Sequence, residues 1–366
     1  MKKAKIIFVL MIPFLYCGLL SSQTITIPVV VHVIWYNVSQ NISDAQVQSQ
    51  IEVLNEDFGR TNIDTINTPA AFAGLAANTE IQFCLAQTDP NGLPTTGIIH
   101  KQTFTSSFSS DNKVKQSLQG GDNAWDVTRY FNIWVCNLNG GLIGYGEFPT
   151  STISNTYGVV IHYSFFGRTG AVSYPYDKGR SCTHEVGHCF NLYNLVGNPG
   201  CIETDSVSDT PTPSGNNYGC SSYPLLDACN PTAPGVMFMN FMTYSDDSCM
   251  NMFTYGQKTR MHAMLNTSPY NALPASTTCL PVGINEIKND FYLSFFPNPA
   301  GNEIRIKLNK PLGKDAYISI LNSIGEEVLK RKVYKMESEV KLDVAAFPTG
   351  MYFVKVNGYS GKFVKN

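Results

Sequence analysis

The sequence predicts an α+β chain of two parts: a first part in which strands and helices alternate, and a small all-β sandwich after residue 290. Three observations predict it. The 366 residues are enough for two domains at about 150 residues each. Charge divides along the chain: residues 301–366 hold 12 Lys/Arg against 7 Asp/Glu, a net of +5, whereas residues 1–300 carry a net of −7. The pattern also changes, from long apolar runs and 3–4 residue periodicity to short alternating segments.

Composition narrows the class. Hydrophobic residues make 43% and charged residues 15%, against about 25% charged in typical globular chains. That excludes wholesale disorder, and 29 Gly with 20 Pro are too few for a collagen-like chain. A net charge of −2 excludes a partner held by a global basic field, so no nucleic acid is expected.

The amino terminus comes first. Lys2, Lys3 and Lys5 precede an apolar run from Ile6 to Leu20, closed by Ser21, Ser22 and Gln23. This is the layout of a secretory signal peptide, residues 1–22, and 15 residues are too few to span a bilayer. Cys17 is no lipoprotein site, because bulky Tyr16 precedes it. No later run is long enough for stable membrane insertion.

The following elements read in order. Residues 25–36 form a β-branched apolar strand. Val47, Ile51, Leu54 and Phe58 recur at helical spacing after a Ser43 or Asp44 cap. Residues 80–86, 132–137 and 158–163 read as strands, and a helix begins near Ser181. Residues 195–235 are turn-rich. A second helix fits residues 255–265, with Met261 and Leu265 on one face. From Asp290 short strands follow at 8–12 residue spacing, as in a small β-sandwich. The predicted parts are 1–22, 23–280, a linker at 281–290, and 291–366.

Nine cysteines remain after the signal. An exported chain permits disulfides. Cys201, Cys220, Cys229 and Cys249 lie in the turn-rich stretch, and four cysteines allow three pairings. Cys182 and Cys189, seven apart on one helix, are separated by about 10 Å of rise, too far to bond.

His184-Glu185-Val186-Gly187-His188 is the segment that carries chemistry. On a helix, residues four apart differ by about 40° in azimuth, so both imidazoles face one point. That suits one Zn2+ ion at about 2.0–2.1 Å from each nitrogen. Glu185, one residue round, is placed to take a proton from a polarised water as general base. Two ordinary histidines on a solvated helix face would read the same way from this segment alone.

The wider text is more specific. HEVGHCFNLYN resembles the metzincin signature. IPVVVHVIW, NISDAQVQSQIEVLNEDF, NTPAAF, TEIQFCLA, FNIWVCNL, SVSDTP and NFMTYSDDSCMNMF resemble segments of the pappalysin (cytophagalysin) branch. The resemblance covers about residues 25–265. It implies a twisted mixed sheet with an active-site helix, an irregular lower subdomain tied by disulfides, and zinc in the cleft between them. It also implies that Met242 floors the site and that Tyr244 assists the tetrahedral intermediate. Without the resemblance, Met242 reads as core methionine among Met237, Met239, Met250 and Met252. The implied disulfides are Cys201–Cys229 and Cys220–Cys249. Ca2+ is implied as well, with Glu203, Asp205 and Asp209 as oxygen donors, although a solvated acidic loop reads the same.

Two positions depart from the family pattern. Asn191 stands where glycine is usual, a mild change because Asn tolerates left-handed backbone. Asn194 stands where a third His ligand belongs, and a neutral amide oxygen suits zinc less well. His162 and His262 read as structural, and Cys189 points away from the ligand face. Asp246 or Asp247, if lining the pocket beyond the scissile bond, would favour Arg or Lys there; both read equally as loop solvation.

The last module carries FFPNPA at 295–300, a Ser323-Ile324-Gly325 turn and FPTGMYFVKV at 347–356. These resemble the type A sorting domain of the type IX secretion system. That implies the type IX machinery as partner and export across an outer membrane. A carbohydrate- or protein-binding sandwich is the alternative.

The combined expectation is a secreted or surface zinc metalloendopeptidase acting on proteins or peptides. The alternative is a metal-poor, weak or inactive relative that acts as a secreted binding protein, because position 194 is Asn.

Overall fold

The computed structural model describes residues 24–196, 200–280, 293–310, 312, 314–357 and 359–366. The signal segment 1–22 with Cys17, and the linker 281–290, lie outside the described residues. Two compact units divide the chain, Met1–Val282 and Gly283–Asn366.

The first unit is built around β1 (Ile25–Trp35), buried continuously from Ile27 to Ile34. Such burial on both faces is what a β-branched run without polar alternation requires. Ile27, Val29, Val31 and Val33 point into the main core, and Val30 and Ile34 into two smaller clusters on the opposite face. Next comes α1 (Asp44–Gly59), whose Ser43 cap accepts a hydrogen bond from the Gln46 amide at 3.2 Å. Its Val47, Ile51, Leu54 and Phe58 enter the main core. The short α2 (Ala70–Ala73) follows.

Strands β2 (Ile81–Leu85) and β3 (Ile98–Gln102) pair in parallel with successive halves of β1. β4 (Phe131–Cys136) also pairs with β1 in parallel. β5 (Gly144–Gly146) is antiparallel to β6 (Gly158–His162), and β6 is parallel to β4. The order β2-β1-β4-β6-β5 leaves β5 at the rim of a mixed sheet.

The segment with His184 and His188 forms α3 (Arg180–Cys189). Among the described residues, the only strands in the irregular stretch after it are the two-residue ribbon β7 (Tyr218–Gly219) with β8 (Tyr244–Ser245). It carries the disulfides Cys201–Cys229 and Cys220–Cys249. α4 (Tyr255–Leu265) starts with a reciprocal capping box between Thr254 and Gln257. A third disulfide, Cys84–Cys279, ties β2 to the chain beyond α4, across 195 residues. Cys136, Cys182 and Cys189 are buried free thiols. Among the described residues no helix is long and apolar enough to cross a membrane.

The second unit has seven strands in its described residues: β9 (Leu293–Phe296), β10 (Glu303–Leu308), β11 (Ala316–Leu321), β12 (Glu327–Val333), β13 (Glu339–Asp343), β14 (Gly350–Val356) and β15 (Tyr359–Lys365). They form antiparallel sheets β13-β10-β9 and β12-β11-β14-β15. Ile304, Ile306, Ile318, Ile320, Val354 and Phe363 belong to the shared core. β9 is the strand that alternation did not predict; its Phe295 and Phe296 precede a proline, which reads as a turn.

Candidate active site

Asp247 and Arg180 anchor the start of α3. The Asp247 carboxylate accepts from the Lys178 and Arg180 amides at 2.8 and 3.1 Å. Gly179, at φ 79°, takes the left-handed turn that lets the chain enter the helix there. The Arg180 guanidinium pairs with Asp57 and Asp64 at 3.2 and 3.0 Å, and Thr183 donates to Asp57 at 2.8 Å. The helix is thereby bolted to α1. Burial raises Asp57 to about 7, against the pull of Arg180, and raises Asp247 to about 6.

At its other end α3 stops at Phe190, and Asn191 adopts φ 71°. The Leu192 amide then closes on the Gly187 carbonyl at 2.9 Å, turning the chain back under the helix.

His184 and His188 stand one turn apart, their rings 4.7 Å centre to centre and nearly perpendicular. His184 Nδ1 lies 2.8 Å from the Phe241 carbonyl, and His188 Nδ1 lies 2.8 Å from the Leu192 carbonyl. A carbonyl only accepts, so each Nδ1 carries the hydrogen and each Nε2 keeps a lone pair. Burial, then the neighbouring His188 ring, lowers His184 to about 3; burial lowers His188 too. Both rings are neutral, as metal ligation demands.

Beneath them lies Met242, fully buried. The Met242 amide donates to Asn240 Oδ1 at 2.9 Å, and the Asn240 amide exchanges hydrogen bonds with Gln257 at 2.8 and 2.9 Å. The turn is therefore fixed to the cap of α4. Tyr244 follows, its ring 5.9 Å from that of His184 and stacked on Tyr218 at 5.7 Å. Asn194 Nδ2 donates to the Tyr244 hydroxyl at 2.9 Å.

Glu185 projects toward the sheet rim. Burial lifts its carboxyl to about 8, moderated by a hydrogen bond from the backbone of Gly146. The two glycines of β5 permit this approach. A Cβ on Gly146 would fall 2.4 Å from the Glu185 carbonyl, and one on Gly144 would fall 3.3 Å from Glu185 Cγ. A pocket of about 270 Å3 opens beside His184 and Glu185, lined by Tyr176, Tyr218, Thr243, Tyr244 and Met250.

The donor set fits a metal ion. Two neutral imidazoles share a helix face, and the Asn194 side chain neighbours both. Its Oδ1 is buried with no hydrogen-bond partner. A lone-pair oxygen left unpartnered beside two lone-pair nitrogens is a cation's environment. Asn194, which prompted the non-catalytic alternative, thus stands at the site rather than away from it.

Calcium is a different matter. Asp205 accepts from the Val207 amide and the Thr210 hydroxyl, and Asp209 from Thr254 and the Gly256 amide. These oxygens cap turns and α4. Among the described residues they do not gather with Glu203 into a group of three such side chains. Neither Asp246 nor Asp247 lines the pocket. Asp247 is fully buried: its Oδ2 anchors α3, and its Oδ1 has no hydrogen-bond partner. His162 caps the Ser164 amide and His262 meets the Thr79 carbonyl, both away from the zinc-type pair. Sequence reasoning missed Gly144, Gly146 and the link from Asn194 to Tyr244. Gly-Tyr-Gly at 144–146 reads locally as a turn, so no local signal marked the first two.

The chain is similar to several known proteins. Residues 114–266 match the sequence model described as pregnancy-associated plasma protein-A, and residues 294–366 match that of a secretion system C-terminal sorting domain. An extracellular metalloprotease of Colletotrichum graminicola is 32% identical over 261 residues, covering 68% of this chain and 79% of that protein. Extracellular metalloprotease 1 of Coccidioides posadasii is 34% identical over 234 residues, covering 61% and 69%. The structure of Tannerella forsythia mature mirolysin in complex with a cleaved peptide is similar at 53% identity. It covers 70% of this chain and 97% of that one, with a TM-score of 0.68.

Proposed function

Since the chain belongs to the pregnancy-associated plasma protein-A family of extracellular metalloproteases, we propose that it is a secreted zinc metalloendopeptidase whose chemistry runs on His184, Glu185, His188 and Tyr244. The observation that carries the assignment is the pair of imidazoles whose Nδ1 hydrogens are both spent on carbonyls, leaving two Nε2 lone pairs on one helix face.

His184 and His188 would hold the zinc through Nε2, above Met242. When bound, zinc supplies Lewis-acid polarisation and favours the carboxylate form of Glu185. Glu185 takes the proton of the attacking water and returns it to the leaving nitrogen. Its carboxyl is aimed by the Gly146 backbone and by the close packing of β5 on α3. Tyr244, at the mouth of the pocket, donates its phenol hydrogen to the oxygen that gains charge. Burial keeps that phenol protonated well above neutral pH.

The domain roles complete the proposal. Residues 1–22 act as the signal, 23–280 as the peptidase domain, 281–290 as the linker and 291–366 as the sorting domain read by type IX machinery. The match of 294–366 to a secretion sorting domain supports this. Deleting 291–366 should leave the enzyme cell-associated, measured by fractionation.

Zinc analysis and a peptide-library digest of the purified full chain test the activity. Stoichiometric zinc with cleavage that Glu185→Ala abolishes is the expected result. A protein that takes up no zinc from excess and cuts nothing overturns it.

A further inference from the structure

We infer that Asn194 uses both ends of its amide: Oδ1 as third donor to the cation, and Nδ2 as the hydrogen-bond donor that positions Tyr244. The inference rests on the zinc peptidase reading above and gives it a coupling that a third imidazole would lack.

Three acceptors neighbour one another here, since the Asn194 side chain lies beside both rings. The Nδ1 hydrogens of His184 and His188 are committed to the Phe241 and Leu192 carbonyls, so their remaining nitrogens are acceptors. Asn194 Oδ1 is also an acceptor, and it is buried without a partner. Reversing the amide would place a hydrogen there but would take the donor away from the Tyr244 oxygen, 2.9 Å from Nδ2. A cation satisfies all three acceptors while the Tyr244 bond is kept.

The backbone holds the residue in place. Asn191 is left-handed, the Arg260 guanidinium donates to its carbonyl, and the Leu195 amide donates to the Met242 carbonyl at 2.8 Å. The segment therefore has fixed points on both sides of Asn194. The two heteroatoms of the amide share one carbon, so orienting Oδ1 orients Nδ2. Because the Tyr244 oxygen accepts from Nδ2, its own hydrogen is left to point outward to substrate. Asn194 is in this sense a positioning residue for Tyr244 as well as a ligand. The harder, neutral oxygen also binds zinc less tightly than a ring would.

Zinc and cobalt(II) are the probes, on the full-length chain. Dissociation constants are read by chelator competition, the cobalt coordination by its visible spectrum, and kcat and KM at saturating zinc. Asn194→Ala should weaken zinc binding at least tenfold and change the cobalt spectrum. Asn194→His should tighten zinc yet lower kcat at least tenfold at full occupancy, with KM within about twofold, because the bond to Tyr244 is lost. Asn194→Asp should keep the metal and lower kcat likewise, because a carboxylate takes up the phenol hydrogen instead of donating to it. Unchanged zinc affinity and cobalt spectrum in Asn194→Ala would overturn the ligand role. Zinc-saturated Asn194→His turning over as fast as the parent would overturn the positioning role. His188→Ala separates the two levels of the proposal: if it binds zinc like the parent, the zinc site itself fails, whatever position 194 does.

Discussion

The sulfur of Met242 occupies the space in which a side chain at Gly187 would begin: a Cβ there would lie 2.5 Å from Met242 Sδ and 3.2 Å from its methyl carbon. The glycine inside the active-site helix is a packing requirement, because the thioether beneath it is fully buried and cannot swing into solvent.

Gly187→Ala should therefore destabilise the first unit despite the better helix propensity of alanine. Overpacking of this kind costs about 1–3 kcal/mol. Met242→Ala alone leaves a cavity and should cost about 2–5 kcal/mol. The double variant should lose less than the two losses combined, since the second change makes room for the first. Additive losses in thermal unfolding would sink the contact.

Glu185→Gln keeps the shape of the side chain but cannot take a proton. Peptide cleavage should fall about 10²–10⁴-fold, the range for a lost general base. Zinc content should match the parent, because Glu185 is not assigned as a ligand. Loss of zinc along with activity would mean that the carboxylate holds the ion.

The anchor of α3 predicts a pH dependence. Burial raises Asp247 from 3.8 to about 6 in the folded chain. The acid form is then favoured by folding, so its contribution is full below about pH 4 and is lost as pH rises through 6. Asp247→Asn is uncharged throughout. Its unfolding free energy, relative to the parent, should rise between pH 4 and pH 7, by at most about 3 kcal/mol at 1.36 kcal/mol per pKa unit. Parallel pH profiles for the two proteins would refute this.

Cys84 and Cys279 join β2 to the chain beyond α4. Replacing both with Ala should cost about 2–5 kcal/mol of stability in the oxidised protein. The same substitutions should have little effect on melting once the parent is fully reduced. A full-sized loss under reduction would place the effect in packing rather than in the crosslink.

Local signals were strong where one segment decides its own structure. The β-branched run of β1, the Ser43-capped periodicity of α1 and the paired histidines of α3 could all be read directly. Gly144-Tyr145-Gly146 could not, because two glycines in three residues read as a turn; β6 beside it and α3 against it make it a strand. Cys84 and Cys279 stand 195 residues apart, and nothing local couples them. Asp247 looked like a loop carboxylate because its partners, the amides of Lys178 and Arg180, come from a distant stretch of chain. Asn194 was legible as an oddity but not as a bridge, since its link to Tyr244 exists only once the turn at Asn191 has formed.

The short rim strand β5 limits what this enzyme can cut. β5 is the edge strand of its sheet and packs against Glu185, so a polypeptide added to that edge would have to be a straightened thread. Helices and paired strands of a target have their amides already engaged and present no such thread. A chain bound in that way would be cut in an intact protein at frayed ends and slack connections, so the ease with which a target loosens locally would count as much as its residues at the cut.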